Sequence, residues 1–516
     1  MLKFLCNVRR ETKAQSPYPG RPARLYRQYV RARSEAQVVP TQEISPSRAR
    51  RGDGAFEPAG PSRDRVHQHL RLVSGEVPPK QRYRHYWSPA SKFAVAALVA
   101  GCWLGLSIWL SLPWLDQATK ALGLAPALAA ITFLAYLPGL LVAFLATSLL
   151  VDRQPPLPAE GNIPPVTVLI AARNEQAGIA DTIRYLAAQD YEGPLVMVLV
   201  DNGSTDQTSI VARSTADELG IDLRILSELH PGKSYALNTG LAAVATDLVI
   251  TLDADTLLHR SAIKMLVGRL DASPADVCAV AGCVLVRNSR NGFWARLQEW
   301  DYFLGIASVK RMQGLFQGTL VAQGAFSIYR TNDVRAVGGW PDAIGEDIVL
   351  TWHLMQGGDR VYFEPLAVAF TDVPIRFKVL AKQRMRWARG MIEALRAIPP
   401  WRQHRGLAKV LTAIDLFIPL LDGAYVFLFL PGIVLACFGV FWFVGPMTAL
   451  VLPLTLLVYG LLFRHQRRHV FEPLGLRMRQ NRTGFLLFLF VYQMFMSSFS
   501  IIGYAQELLG TRRRWK

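Results

Sequence analysis

Two stretches without a single charged side chain set the first limit on how this chain can fold. "FAVAALVAGCWLGLSIWLSLPWL" (93–115) and "APALAAITFLAYLPGLLVAFLATSLLV" (125–151) each exceed the roughly 20 residues that an α-helix needs to cross a bilayer. Further apolar runs follow at 417–445, 447–463 and 484–504. Soluble cores seldom contain several uncharged runs of this length. The runs predict two transmembrane helices within 91–152 and three or four transmembrane or re-entrant segments within 410–505. About ninety residues, rich in polar side chains, precede the first run, so it does not read as a cleavable signal.

Charge supplies the orientation. Lys and Arg (57) exceed Asp and Glu (39), for a net charge of +18. A nucleic-acid partner would account for that charge but for none of the apolar runs. The basic residues also sit in a tail and in juxtamembrane loops, not on an aromatic-studded face, so no nucleic acid is expected. Positive-inside bias instead puts the N-terminal segment, the central segment and the loop 464–482 on the cytoplasmic face of an inner (plasma) membrane protein. The C-terminal tail 506–516 favours the same face, which three crossings after residue 410 would forbid. A re-entrant hairpin in 417–445, around Asp422 and Pro431-Gly432, would repair the parity, and the sequence leaves that choice open. Residues 1–90, rich in Arg, Pro, Ser and Gln, read as a disordered basic arm. We take it as a solvated tail, with contact to anionic headgroups as the alternative. The five cysteines have no metal or disulfide spacing.

Between the apolar runs, residues 160–400 read as a cytosolic domain. "VTVLI" (166–170), "VMVLV" (196–200) and "DLVITLDAD" (247–255) are short apolar strands suited to a buried parallel sheet. Between the first two, Ile179, Ile183 and Leu186 share one helical face. Strand, helix, strand predicts a doubly wound α/β domain, in which ligands bind beyond the carboxyl ends of the strands. The polar clusters fall there: "ARNE" after the first strand, "DNGSTD" after the second and "DADT" after the third.

Each cluster has a chemical and a structural reading. Asp253 and Asp255, two apart, suit a hard divalent cation shared with a nucleotide diphosphate, or a surface loop. Lys233 in "PGKSYALNTG" can reach a diphosphate as a point charge, or can be solvated in a turn. Asp201 can accept hydrogen bonds from a ribose or a base edge, or can shape its turn. Gln383, Arg386 and Trp387 in "QRMRWARG" share one helical face. They could grip a phosphate and stack on a sugar, or could lie in lipid headgroups. Glu346 and Asp347 in "GED" open a helix. There they either match the helix dipole or supply a general base.

In this order, between membrane spans, these pieces resemble the membrane-embedded polysaccharide synthases of glycosyltransferase family 2, which include poly-N-acetylglucosamine, chitin, hyaluronan and cellulose synthases. The wording "GGWPDAIGEDIVLTWHLMQGGDRVYFEP" (338–365) is most similar to the poly-β-1,6-N-acetylglucosamine synthases. Gln383, Arg386 and Trp387 match the family's Q-x-x-R-W; Gly345, Glu346 and Asp347 its T/G-E-D; Asp253 and Asp255 its D-x-D. The usual second aspartate after Asp201 is here Asn202.

The resemblance implies a GT-A-like domain inserted between N- and C-terminal transmembrane helices. It also implies an inverting β-transfer from a UDP-sugar, with UDP-N-acetylglucosamine favoured. Asp347 becomes the base and Glu346 a supporting acid. Asp255, with Asp253, holds Mg²⁺ or Mn²⁺. Ala171, Asn174, Glu175, Asp201, Lys233, Asp253 and Arg386 bind the donor nucleotide; Gly324, Ala325, Gln383 and Trp387 bind the acceptor. The implied partners are the UDP-sugar, a polysaccharide or lipid acceptor, the lipid bilayer and accessory membrane or periplasmic export proteins. Two rivals stay open: a non-processive transferase acting on a lipid, and a transporter or receptor with a nucleotide-sensing domain.

Overall fold

Eight strands build one sheet in the computed structural model, which describes residues 87–152, 157, 161, 163–445, 448–477 and 480–511. The basic arm before residue 87 and the last five residues of the tail lie outside the described residues. The strands are β1 (Val166–Ala172), β2 (Leu195–Asp201), β3 (Leu223–Ser227), β4 (Leu248–Asp253), β5 (Leu257–Leu258), β6 (Val277–Val286), β7 (Phe326–Arg330) and β8 (Arg360–Thr371). Their spatial order is 3-2-1-4-7-6-8-5. β1 to β4 run parallel, β7 runs antiparallel between β4 and β6, and β5 pairs antiparallel with β8.

The sheet is wound on both faces, as the uninterrupted apolar strands predict. In β1, Val166, Val168 and Ile170 enter one core with Ile179, Ile183 and Leu186 of the helix Ile179–Ala187. Leu169, pointing the other way, joins Leu237, Trp340 and Trp352 in a second core. Successive strand side chains alternate faces, so one strand seeds both layers. Because β2 and β4 flank β1 on opposite sides, the chain reverses its direction of winding at the carboxyl end of β1, where a crevice opens. Register sharpens this: Ala172 lies opposite Asp201, and Ala171 opposite Asp253.

Among the described residues, four helices are long and apolar enough to cross a membrane: Pro89–Leu122, Leu124–Leu150, Gly406–Cys437 and Arg482–Leu508. Most of the run 417–445 continues one helix to Cys437. The helix Thr448–Gln466 returns to the α/β domain, where Phe463 packs on Trp300 and Gln466 donates to the Phe303 carbonyl. At about 28 Å it matches the hydrocarbon thickness. The helix Arg482–Leu508 behaves differently, because both of its ends meet the α/β domain. At its start, the Asn481 side chain donates to the Arg296 carbonyl and to Glu299. At its end, Glu507 pairs with Arg389 and Arg396. Along its length it lies against the helix Phe377–Ala397, with Gly503 under Met385 and Ala388.

Candidate active site

At the carboxyl end of β4, Asp253 and Asp255 face Lys233, the first residue of the helix Lys233–Ala243. Lys233 Nζ pairs with Asp253 and stands 3.9 Å from Glu346 Oε1. Glu346 and Asp347 fill the first turn of the helix Glu346–Gln356, whose N-terminal cap is Gly345. Asp347 Oδ1 accepts the Ile348 N–H at 2.8 Å, and Oδ2 accepts the Gly324 N–H at 3.3 Å. The Ala325 carbonyl accepts the Asp253 N–H. Strand end, lysine, "QGA" loop and "GED" turn thus meet in one place. Gly324 allows the approach, because a Cβ there would lie 2.8 Å from Lys233 Nζ.

Charge in this cluster does not cancel. Burial, reinforced by neighbouring Asp347, raises the Glu346 carboxyl to about 7 although Lys233 opposes it. Burial and Asp253 raise Asp255 to about 6, again against Lys233. Burial disfavours the Lys233 ammonium, yet Asp253 and Glu346 hold it above its usual value. Two carboxyls pushed toward neutrality beside one shared lysine make a cluster short of positive charge. A divalent cation fits that shortage. Among the described residues no three His, Cys, Asp or Glu side chains converge on a metal position, so an ion at Asp253 and Asp255 would complete its shell with ligand oxygens and water, as Mg²⁺ commonly does.

The second cluster lies at the ends of β1 and β2. Asp201 Oδ1 accepts the Ser204 N–H at 2.9 Å and Oδ2 the Ser209 hydroxyl at 2.6 Å. Asn174, at a left-handed φ of 57°, accepts the Thr205 N–H at 2.8 Å. The Glu175 N–H donates to Thr208. Asn174 and Glu175 therefore tie "ARNE" to the "DNGSTD" segment, and Asp201 shapes the second turn.

The third group rides on the helix Phe377–Ala397. Trp387 is 39% exposed and Arg386 is exposed. Gln383 Oε1 is buried with no hydrogen-bond partner among the described residues. This helix reaches the carboxylates through backbone packing. A Cβ on Gly345 would lie 2.8 Å from Gly390 Cα, and one on Gly390 would lie 2.8 Å from Gly345 Cα. The Glu393 carboxylate accepts the Ile344 and Gly345 N–H groups at 2.7 and 3.2 Å. The "GED" turn is thus clamped to the helix that carries "QRMRW".

Sequence reasoning passes over Glu393, because a lone glutamate on an amphipathic helix carries no local signal. Asn202 is visible there only as a departure from the resemblance. It is buried; its amide donates to the Glu228 and His230 carbonyls at 3.1 and 2.7 Å, and its Oδ1 accepts the Gly232 N–H at 2.8 Å. It thereby fixes the turn that delivers Lys233.

Comparison with known proteins agrees with this geometry. A family model described as "Glycosyltransferase like family 2" matches residues 164–390. Over 234 residues the chain is 32% identical to the poly-beta-1,6-N-acetyl-D-glucosamine synthase of Staphylococcus aureus (strain COL), covering 45% of this chain and 55% of that one. The protein of the same name from Staphylococcus epidermidis (strain ATCC 35984) is 29% identical over the same shares. The chain spans about half the length of these curated relatives. Among solved structures, the mannosyltransferase PcManGT from Pyrobaculum calidifontis, in complex with GDP-Man and Mn²⁺, superposes with a TM-score of 0.52 at 20% identity. It covers 75% of this chain and 99% of its own. That likeness shows the shared fold.

Proposed function

From the match of residues 164–390 to the glycosyltransferase family 2 model, we propose that this chain is a membrane-embedded inverting glycosyltransferase extending a polysaccharide from a UDP-sugar, with UDP-N-acetylglucosamine as donor. The observation that carries the reading is the undercharged carboxylate cluster clamped, through Gly345 and Gly390, to the helix bearing Gln383, Arg386 and Trp387. Similarity to the staphylococcal synthases supports the choice of sugar.

In this reading Asp347 is the base. Gly324 N–H orients one of its oxygens and the helix start the other. It removes the proton from the acceptor hydroxyl as that oxygen attacks the anomeric carbon. The bond to the diphosphate breaks on the opposite face, so an α-linked donor gives a β-linkage and UDP departs. Glu346, with a carboxyl near 7, supports the base as an acid. Lys233 and Arg386 hold the diphosphate. Ala171, Asn174, Glu175, Asp201 and Asp253 line the nucleoside side. Gly324, Ala325, Gln383 and Trp387 line the acceptor side. Asp255 and Asp253 would hold Mg²⁺ or Mn²⁺, which neutralises developing negative charge on the leaving diphosphate.

The packing also supports a topology. The Trp114 indole donates to the Trp442 carbonyl, so the turn near residue 442 lies with the far end of the first helix. Pro89–Leu122, Leu124–Leu150, Gly406–Cys437 and Thr448–Gln466 then make four crossings. Arg482–Leu508, tied to the domain at both ends, lies along the cytoplasmic surface. An even number of crossings keeps the arm, the domain and the basic tail on one face, as their charge favours.

The test is incubation of the purified full chain with each UDP-sugar, measuring UDP release and product size. UDP-N-acetylglucosamine should give the fastest release and a high-mass polymer. A single sugar on a lipid would replace the polymerase reading with lipid glycosylation, and no UDP release with any sugar would leave only a nucleotide-sensing role.

A further inference from the structure

Trp387 is held from behind. The Arg384 guanidinium carbon lies 4.1 Å from the centroid of the Trp387 ring. Arg384 itself is buried, and its Nη2 donates to Asp301 Oδ2 at 2.8 Å and to the Tyr492 hydroxyl at 2.9 Å. Tyr492 in turn donates to Asp301 Oδ2 at 2.9 Å. Tyr302 stands beside the indole, its ring centroid 6.3 Å away. We propose that Arg384, Asp301 and Tyr492 form a cradle that fixes the Trp387 indole as the wall on which the acceptor sugar stacks, with Arg384 as its positioning residue.

Three elements converge to build it. Arg384 and Trp387 are one turn apart on the helix Phe377–Ala397. Asp301 opens the π-helical turn Asp301–Ile306, and Tyr492 closes another, Phe488–Tyr492. A π-helical turn adds a residue to the local turn of a helix and so changes the direction in which the following side chains leave it. Here both partners of Arg384 come from one.

The chemistry suits arginine in particular. A planar guanidinium can stack on an indole while its N–H groups bond in the plane. Asp301 neutralises the buried charge, so the cation stays over the ring rather than turning to solvent. With its inner side covered, the indole has few rotamers left, and stacking a sugar on its exposed part costs little ordering entropy. The cradle also gives the helix Arg482–Leu508 a task, since that helix supplies Tyr492.

The proposal rests on reading Trp387 as the acceptor wall, and the test separates the two. The binding of a β-1,6-linked N-acetylglucosamine pentamer to the UDP-loaded full chain is measured for Arg384→Met, Arg384→Lys, Tyr492→Phe, Trp387→Ala and the Arg384→Met/Trp387→Ala double variant, beside UDP affinity. Arg384→Met should weaken pentamer binding about 5- to 30-fold, the range of a desolvated cation–π contact, while UDP affinity holds. Arg384→Lys should recover part of the loss. In the Trp387→Ala background, Arg384→Met should add less than about twofold, because coupled residues are not additive. Additive losses, or unchanged pentamer affinity in folded Arg384→Met, overturn the cradle alone. Unchanged affinity in Trp387→Ala, or no pentamer binding by the parent chain, overturns the acceptor wall and the cradle with it. Should Arg384→Met not fold, Tyr492→Phe, which keeps the ring and removes the bridging hydroxyl, decides by the same non-additivity with Trp387→Ala.

Discussion

Two buried clusters of charge sit on this domain, and burial acts on their carboxylates with opposite results. Where the transmembrane helices join the domain, the Asp152 side chain is 2% exposed and pairs with Arg311 and with His465, the latter at 3.3 Å. Arg311 also reaches Gln466 at 3.4 Å. Burial pushes the Asp152 carboxyl up, yet Arg311 and His465 together hold it well below the usual carboxylate range. At the carboxyl end of β4, burial meets extra carboxylates and one shared lysine, and Glu346 and Asp255 go up. Desolvation is common to both. What differs is the balance of charge: at the junction Arg311 and His465 both face one carboxylate, whereas in the crevice carboxylates outnumber the lysine they share. On the function proposed above, the first arrangement belongs to architecture and the second to chemistry.

The comparison breaks most directly on one substitution in each cluster. Asp347→Asn should lose about 10²- to 10⁴-fold in transfer, the usual worth of a positioned base, while binding UDP as the parent does and unfolding at the same temperature. Should it lose UDP binding instead, Asp347 belongs to the donor side. Asp152→Ala should do the reverse. It strands buried Arg311 and should cost about 3–5 kcal/mol of stability, while the folded fraction keeps its turnover per molecule. Calorimetry and UDP release on both variants separate the outcomes; an Asp152→Ala protein of parental stability without activity would erase the distinction.

How much of this is legible in the sequence follows from which interactions are local. The strands β1, β2 and β4 and the helix Ile179–Ala187 are legible because apolar periodicity is a local record of burial. "DAD", "GED" and "QRMRW" are legible as clusters because they follow strands or open helices. The clamp between Gly345 and Gly390 is not, because nothing near either glycine names its partner 45 positions away. Nor is the fate of run 484–504. Its composition is that of a transmembrane helix, and its bonds to the domain through Asn481, Tyr492 and Glu507 come from residues far apart in sequence. Asp152 reads as a linker charge until Arg311 and His465 are brought to it. Glu393, Arg384 and Asp301 likewise acquire roles only through tertiary contact.

A smaller effect, and a sharper one, comes from pH. Glu346 titrates near 4.5 in an unfolded chain and near 7 in the fold. Asp255 moves from 3.8 to about 6. Between those values the folded protein keeps protons that the unfolded chain has released. The stability this gives is full below the unfolded values and is lost as pH rises through 6 to 7. Without metal or donor, thermal unfolding should therefore come at lower temperature at pH 8 than at pH 5.5. Glu346→Gln should flatten part of that slope. Mg²⁺ or Mn²⁺ with UDP should restore stability at pH 8, because a ligand bound only by the folded state stabilises it, and EDTA should remove the gain together with transfer. A pH slope unchanged by Glu346→Gln and by metal would mean that the crevice is as self-sufficient as the junction.

The smallest expected effect lies at Asn202, where the chain departs from the paired aspartates of the family it resembles. An aspartate there would keep the acceptor oxygen for the Gly232 N–H but would turn a second oxygen toward the Glu228 and His230 carbonyls, which now receive an amide. Two acceptors would face a carboxylate in a buried site, at a cost of about 1–3 kcal/mol. Gly232, at a φ of 152°, caps the helix that begins with Lys233, so the turn would shift and carry the lysine with it. Asn202→Asp should thus lower stability modestly and weaken UDP binding more than it slows turnover at saturating donor. Asn202→Ala, which lacks the added charge, should weaken UDP binding less. Equal or stronger UDP binding in Asn202→Asp would show that the second aspartate can face the donor here, and that the asparagine is a substitution the turn merely tolerates.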